Sequence, residues 1–342
     1  MKVVTLGEIM LRLSTPGFTR FVQSQSFDVT YGGGEANVAV ALANYGLESY
    51  FVTKLPKHEI GQAAVNHLRR FGVSDRFIVR GGDRVGIYFL ETGASQRASK
   101  VIYDRADAAV TGLSPDDLDL DAVFDTAQWF HWTGITPALG ETPRRTLVAA
   151  CKAAKAAGAT VSCDLNFRAK LWTTDEAQAT MRPLMEYVDV CIANEEDAEK
   201  SLGLEAGETD VHGAELDEAG YFELAERLKR EFDFETVAIT LRESFSASRN
   251  GWSAILHDDK ECQRPQRSTR YDIQIVDRVG GGDSFASGLI AGLLQKNDTR
   301  EALEFAVAAS CLKQTIPGDF NLVSRAEVDA LARGDGSGRV QR

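Results

Sequence analysis

The chain has 342 residues, enough for one large α/β domain with an accessory element or for two average domains. Apolar residues make up 44%, aromatics 8% and charged residues 26%, which excludes collagen-like, coiled-coil and disulfide-scaffold architectures and long intrinsic disorder. With 38 Lys and Arg against 50 Asp and Glu the formal charge is −12, so the overall field repels nucleic acid and anionic membrane, and an anionic ligand needs locally placed arginines.

The N-terminus, MKVVTLGEIMLRL, carries Glu8 inside its apolar stretch and lacks a small-residue cleavage site. Residues 3–7 therefore read as a first strand rather than an export signal, and a cytoplasmic protein with no membrane partner is expected. Residues 36–45 read as a helix, 51–54 as a strand and 60–71 as a helix. Residues 12–31 and 85–105 break this beat by alternating apolar and polar residues (Phe21, Phe27, Val29, Tyr31; Ile87, Phe89; Val101, Tyr103), which predicts antiparallel strands with one wet face, a small sheet able to act as a lid. Thr142 as N-cap with Pro143 at the first helical position predicts a helix to about Ala157, ended by Gly158. Residues 161–165, 188–193 and 236–241 are short, β-branched and apolar, the pattern of strands buried on both faces. Residues 203–221 read as an acidic surface excursion, 271–276 as a strand, and 334–342 as a disordered tail. The longest apolar run, 285–294, is about half a membrane span. Strands alternating with helices in this way predict an α/β fold with a mostly parallel sheet covered on both faces. The five cysteines, Cys151, Cys163, Cys191, Cys262 and Cys311, are odd in number and widely spaced, with no CxxC pair, and read as buried thiols.

Several motifs are absent. No Gly-Lys dipeptide occurs, so there is no Walker A loop, and Phe285 stands where a dinucleotide fingerprint starting at Gly280 requires glycine. HExxH and GxSxG are also missing. The informative segment is DRVGGGDSFASGLIAGLL, residues 277–294. A strand, three glycines (Gly280, Gly281, Gly282) and then a helical apolar row expose free backbone N–H groups at the positive end of a helix dipole, a way to hold phosphate without lysine. Asp283 stands at the mouth of that helix, where a carboxylate can take a proton from an attacking hydroxyl or simply cap the helix. Two segments give it context: YGGGEAN at 31–37, a second triple glycine before a helix, and Asp164-Leu165-Asn166-Phe167-Arg168 at a strand end.

Together these segments resemble the ribokinase-like (PfkB) family of carbohydrate kinases, in the expected order over residues 1 to about 325. GGGEANVAVALANYG matches the first family signature and DRVGGGDSFASGLIAGLL the second. Within the family, YGGGEAN, Tyr103-Asp104-Arg105, DLNFRAKLW and IPGDFNLVS look most like 2-keto-3-deoxygluconate kinases. The resemblance implies a three-layer αβα sandwich over 1–325 with a β lid from about 12–31 and 85–105, followed by a helix end and tail at 326–342. It implies ATP and magnesium, leaves a monovalent cation open, and suggests a homo-oligomer formed through the lid.

Carried over by position, the resemblance makes Asp283 the base and Gly280, Gly281 and Gly282 the anion hole for the γ-phosphoryl. Gly33, Gly34, Asn37, Tyr88, Tyr103, Arg105 and Arg168 would hold the sugar acid. Asn166, Asn194, Thr240 and Arg242, with Gly280 and Gly282, would border the nucleotide, and Ser310 would lie under the adenine. The magnesium-organising Asn-x-x-Glu motif appears as Asn194-Glu195-Glu196-Asp197, so Asp197 and Glu196 would act on the metal through water with a carboxylate one methylene shorter. The run Thr240-Leu241-Arg242-Glu243 lacks the glycine expected at a nucleotide loop. Arginine forks suit a carboxylate, which favours an acid sugar. Fructose or an epimeric keto-deoxy acid as substrate, and a non-catalytic sugar-binding regulator, are the alternatives.

Overall fold

Short apolar strands pair into one long sheet in the computed structural model, which describes residues 1–205, 218–258, 264–296, 298–336 and 338. The strand order is Gln266–Arg267, Arg249–Asp258, Thr236–Ser246, Val190–Ala193, Thr160–Asp164, Ala127–Thr133, Lys2–Leu6, Glu48–Leu55 and Ile78–Arg80. From Thr236–Ser246 to Ile78–Arg80 every pairing is parallel. Arg249–Asp258 turns back antiparallel, and Tyr271–Gln274 pairs with it at the edge.

Side chains alternate across a strand, so Lys2–Leu6 sends Val4 and Leu6 to one face and Val3 to the other. The first face packs Leu147, Ala150 and Ala154 of the Glu141–Ala156 helix, Met181 of Thr174–Leu184 and Leu228 of Glu218–Phe232. The second packs Val38 and Leu42 of Gly34–Asn44, Phe285 and Leu289 of Gly281–Gln295, and Leu303 and Val307 of Thr299–Lys313. Each such Leu, Val, Met or Phe side chain contributes about 1.5–3 kcal/mol when fully buried. The result is the three-layer α/β/α sandwich with a mostly parallel sheet. Val328 and Leu331 of the Arg325–Ala332 helix belong to the second core, so the packed body runs past residue 325.

A separate sheet, ordered Asp28–Gly32, Met10–Ser14, Ile87–Glu91 and Lys100–Asp104, holds the segments expected to act as a lid and is called the lid sheet by position only. It corrects one expectation: its central pair, Met10–Ser14 with Ile87–Glu91, is parallel. The chain passes through the main sheet between those strands and re-enters the lid in the same direction. Phe21 lies outside the strands, and Phe27 immediately precedes one.

Other differences have local causes. The Glu141–Ala156 helix starts after Gly140, not Thr142, and Pro143 sits inside its first turn, where no intrahelical N–H bond is lost. Thr236–Ser246 is longer than the 236–241 strand expected, and Tyr271–Gln274 is an edge strand shorter than 271–276. Cys151, Cys163, Cys191 and Cys311 are buried free thiols, and Cys262 lies outside the described residues. Most of the 203–221 excursion and the end of the 334–342 tail also lie outside them. Among the described residues no helix is long and apolar enough to cross a membrane.

Candidate active site

Parallel strands end together, and the loops leaving their carboxyl ends meet the lid around a cavity of about 350 Å³. Gly33, Gly34 and Asn37 line it from one helix start, and Gly280, Gly281, Gly282 and Asp283 from another. Asn166, Arg168, Asn194, Asp197, Thr240 and Arg242 line it from the sheet edge, and Tyr88, Tyr103 and Arg105 from the lid. Glu196 lies in an adjoining open groove that shares Tyr103, Arg105, Arg168, Asn194, Asp197 and Arg242. Ser310 is a correction: it is fully buried behind the glycine turn and donates to the Gly281 carbonyl at 2.7 Å, so it supports the turn rather than facing a ligand.

The turn is shaped by what surrounds it. Gly280 adopts φ +80°, and a Cβ there would stand 2.1 Å from the Asp319 carbonyl oxygen, so both conformation and space require glycine. It caps the helix without a side chain. The Ser284 amide donates to the Gly280 carbonyl and the Gly281 amide to the Arg278 carbonyl. The first-turn amides of Gly282 and Asp283 have no intrahelical partner. A Cβ on Gly282 would meet nothing within 4 Å, so that backbone is bare toward the cavity.

Asp283 and the other glycine motif are tied together. Asn37 Nδ2 donates to Asp283 Oδ2 at 2.6 Å, while Asn37 Oδ1 accepts the Gly33 amide at 3.2 Å. Burial pushes the Asp283 carboxyl up to about 6, against the lowering effects of the Asn37 bond and the Arg168 charge. Nearby Asp164 is raised well above the carboxylate range by burial and by the charges of Asp197 and Asp283. The helix bearing Asn37 is pinned by Glu35, whose Oε1 accepts from Thr133 Oγ1 at 2.8 Å and Thr136 Oγ1 at 2.7 Å.

Two lid residues are partly committed elsewhere. The Tyr88 hydroxyl donates to Asp319 Oδ2 at 2.5 Å, so it cannot also donate to a ligand. Arg105 is ion-paired through Nη2 with buried Glu8 and lies 5.4 Å from the Tyr103 ring centroid. Arg168, by contrast, is exposed at the rim, donates only to its neighbour's carbonyl at 2.9 Å, and forms no ion pair among the described residues. Arg168 is therefore available to an incoming anion, as is the exposed Arg242 on the same cavity wall.

At the sheet edge, Asn194 Oδ1 caps the Glu195–Leu202 helix by accepting the Asp197 amide at 2.7 Å, and Asp197 Oδ1 accepts the Phe167 amide at 2.9 Å. The glycine-poor run from Thr240 forms no loop. It continues the strand, pairing Arg242 with Trp252 and Glu243 with Gly251. Glu243 is held by Arg270 at 2.6 Å.

Sequence reasoning missed a buried cluster beneath the turn. Arg12 bridges Asp277 and Asp319, each at 2.5 Å, and Lys313 is fully buried beside them. The only signal was a lone arginine in the apolar strand Met10–Ser14.

Comparison with known proteins identifies the family. The description "pfkB family carbohydrate kinase" matches residues 1–322. A 2-dehydro-3-deoxygalactonokinase of Haloferax volcanii is 36% identical over 339 residues, covering 98% of both chains. A 2-dehydro-3-deoxygluconokinase of Thermoproteus tenax is 29% identical over 326 residues, 93% of this chain and 90% of the relative. The crystal structure of a 2-dehydro-3-deoxygluconokinase from Thermotoga maritima superposes with a TM-score of 0.93 at 55% identity, covering 98% of each chain. With residues 1–322 matched by the family description and 98% of the chain covered by both the Haloferax relative and the Thermotoga structure, the chain belongs to the pfkB family and is a carbohydrate kinase.

Proposed function

We propose that the protein phosphorylates 2-keto-3-deoxygluconate at its terminal hydroxyl, with ATP as donor, giving the 6-phosphate and ADP. The observation that carries this is one juxtaposition: a carboxyl poised at about 6 on Asp283, the bare amides of the glycine turn, and an unpaired Arg168 around a single cavity. The two kinases named for the gluco acid, one of them at 55% identity, support the substrate class.

In this mechanism the sugar hydroxyl oxygen attacks the γ-phosphorus in line. Its proton passes to Asp283, and the bond to the ADP oxygen breaks. Asn37 fixes the Asp283 carboxylate, and the amides of Gly280 and Gly282 meet the charge developing on the transferred group, while the Gly281 amide is held by the Arg278 carbonyl. Arg168, with the remaining donors of Arg105, holds the sugar carboxylate, and Gly33, Gly34 and Tyr103 shape the sugar's seat. Thr240, Arg242, Asn166 and Asn194 border the nucleotide. The charges of Asp197 and Asp283 raise the Asp164 carboxyl, and among the described residues no group of three metal-ligating side chains comes together, which suits a cation held through water rather than by a direct protein cage. Asp197 and Glu196 would hold magnesium through water, and the metal would neutralise phosphate charge. The lid, in closing, excludes water from the γ-phosphoryl.

Arg168→Ala tests the acid-sugar assignment. Loss of a charged hydrogen bond, about 1.5–3 kcal/mol, lowers kcat/KM on 2-keto-3-deoxygluconate about 10- to 150-fold. Fructose, which has no carboxylate, loses far less. Equal losses on both sugars would leave Arg168 a phosphate or structural role. The galacto epimer is the second reading, favoured by the 36% identical archaeal relative, and belongs in the same assay.

A further inference from the structure

Among the buried charges that the mechanism does not use, Lys313 stands behind the glycine turn. Lys313 ends the Thr299–Lys313 helix and is fully buried, which for a lysine demands specific partners. Its Nζ donates to two backbone carbonyls, that of Asp277 at 3.1 Å and that of Val279. Both belong to the bend that delivers the glycine turn. The bend is further fixed by Asp277, whose Oδ1 accepts the Val279 amide at 3.1 Å and whose Oδ2 accepts the Gly318 amide at 3.0 Å and Arg12 Nη2 at 2.5 Å. The carbonyl-rich end of the Thr299–Lys313 helix also favours a cation, and Gln314 beside it accepts the Val276 amide through its own carbonyl at 2.9 Å.

The Val279 carbonyl and the Gly280 amide are two ends of one planar trans peptide, so they point in opposite directions. A cation on the carbonyl fixes that peptide and polarises its N–H. Gly280 lines the cavity while Lys313 lies behind it. Inward-turned backbone carbonyls are also the ligands a monovalent cation uses. Here an ammonium already occupies the Asp277 and Val279 carbonyls, so the residues present do not fit a bound monovalent cation between them.

We propose that the Lys313 ammonium is a tethered internal cation and a positioning residue of the anion hole, holding the Val279–Gly280 peptide so that turnover needs no added monovalent cation. The kinetic arm of its test rests on the kinase reading above; the melting arm does not.

Wild-type protein and Lys313→Ala are compared in potassium chloride and in tetramethylammonium chloride at equal ionic strength, by thermal melting and by kinase assay. Wild-type Tm and kcat are expected to be the same in both salts. Lys313→Ala should lose kcat at least about 10-fold in tetramethylammonium, the scale of a weakened oxyanion donor, with ATP KM changed less than about threefold. Potassium or methylammonium should restore part of that kcat and raise the variant's Tm, while lithium should not. Lys313→Arg keeps the charge and serves if the alanine variant does not fold: it should turn over without potassium. A potassium-dependent wild-type kcat or Tm would overturn the proposal, as would unimpaired turnover by Lys313→Ala or a loss that no cation rescues. If the wild type phosphorylates no sugar in any salt, the kinase reading fails, and the two melting profiles still decide whether the carbonyl seat is filled by Lys313.

Discussion

Asp283 is pulled in opposite directions by its surroundings. Burial raises its carboxyl to about 6, while Asn37 and Arg168 stabilise the ionised form. The carboxyl is therefore charged above about 6, and under the proposed mechanism kcat/KM should rise about tenfold per pH unit below that value and level off above it. Asp283→Asn should remove this limb and lower kcat at least about 10²-fold, with KM little changed. Stability should move the other way. A carboxyl raised in the folded state favours folding at low pH, and that contribution is lost as pH rises through about 6. At neutral pH the uncharged asparagine should therefore raise Tm, with an upper bound of about 3 kcal/mol at about 1.4 kcal/mol per unit. Loss of activity together with a lower Tm would instead make Asp283 a structural cap. The sequence marked Asp283 by its glycines but not its partner. The contact from Asn37 spans 246 positions and depends on two helix starts meeting. Arg105 was legible as a lid arginine, whereas its ion pair with Glu8 was hidden in a strand-to-loop exit of the N-terminal run.

At the scale of elements, the glycine turn makes a prediction that separates conformation from ligand contact. Gly280 needs φ +80° and has the Asp319 carbonyl against it, whereas Gly282 has open space where a methyl would go. Gly280→Ala should therefore lower Tm and activity together, costing about 1 kcal/mol or more for the left-handed conformation alone. Gly282→Ala should leave Tm unchanged or slightly higher, yet raise the ATP KM or lower kcat, because the methyl stands beside the bare amides. Melting curves and initial rates for the two variants check this; a destabilised Gly282→Ala protein would contradict the assigned geometry. Elements with strong local patterns were legible: the strand at 160–164 and the helices at 34–44 and 59–70 fall within two residues of expectation. The run after Thr240 was not, because its pairing partner Arg249–Asp258 determines that it stays extended. Local sequence carries no record of that partner.

Over the whole molecule, the lid has two faces of different character. One carries Met10, Tyr88, Val101 and Tyr103 toward the cavity. Across the other, the ladder registers Val29, Leu13, Phe89 and Ile102 in one row, with Val29 60% and Ile102 53% exposed. We propose that a second copy of this chain covers that row. Sedimentation should give a dimer for the wild type and a monomer for Val29→Asp with Ile102→Asp, and a monomeric wild type would contradict it. Fold class was readable because strand and helix periods alternate over most of the chain, and the second, smaller sheet because its period differs. The parallel pairing inside the lid was not, since it depends on a crossover through the main sheet. The most direct test of the whole account is ATP-dependent turnover of purified protein on a panel of 2-keto-3-deoxygluconate, its galacto epimer and fructose, with the product's phosphate position assigned by NMR. The account predicts the highest kcat/KM on 2-keto-3-deoxygluconate and phosphate on its terminal oxygen. Preferred turnover of fructose, or no sugar-dependent ADP formation with any of the three, would contradict it.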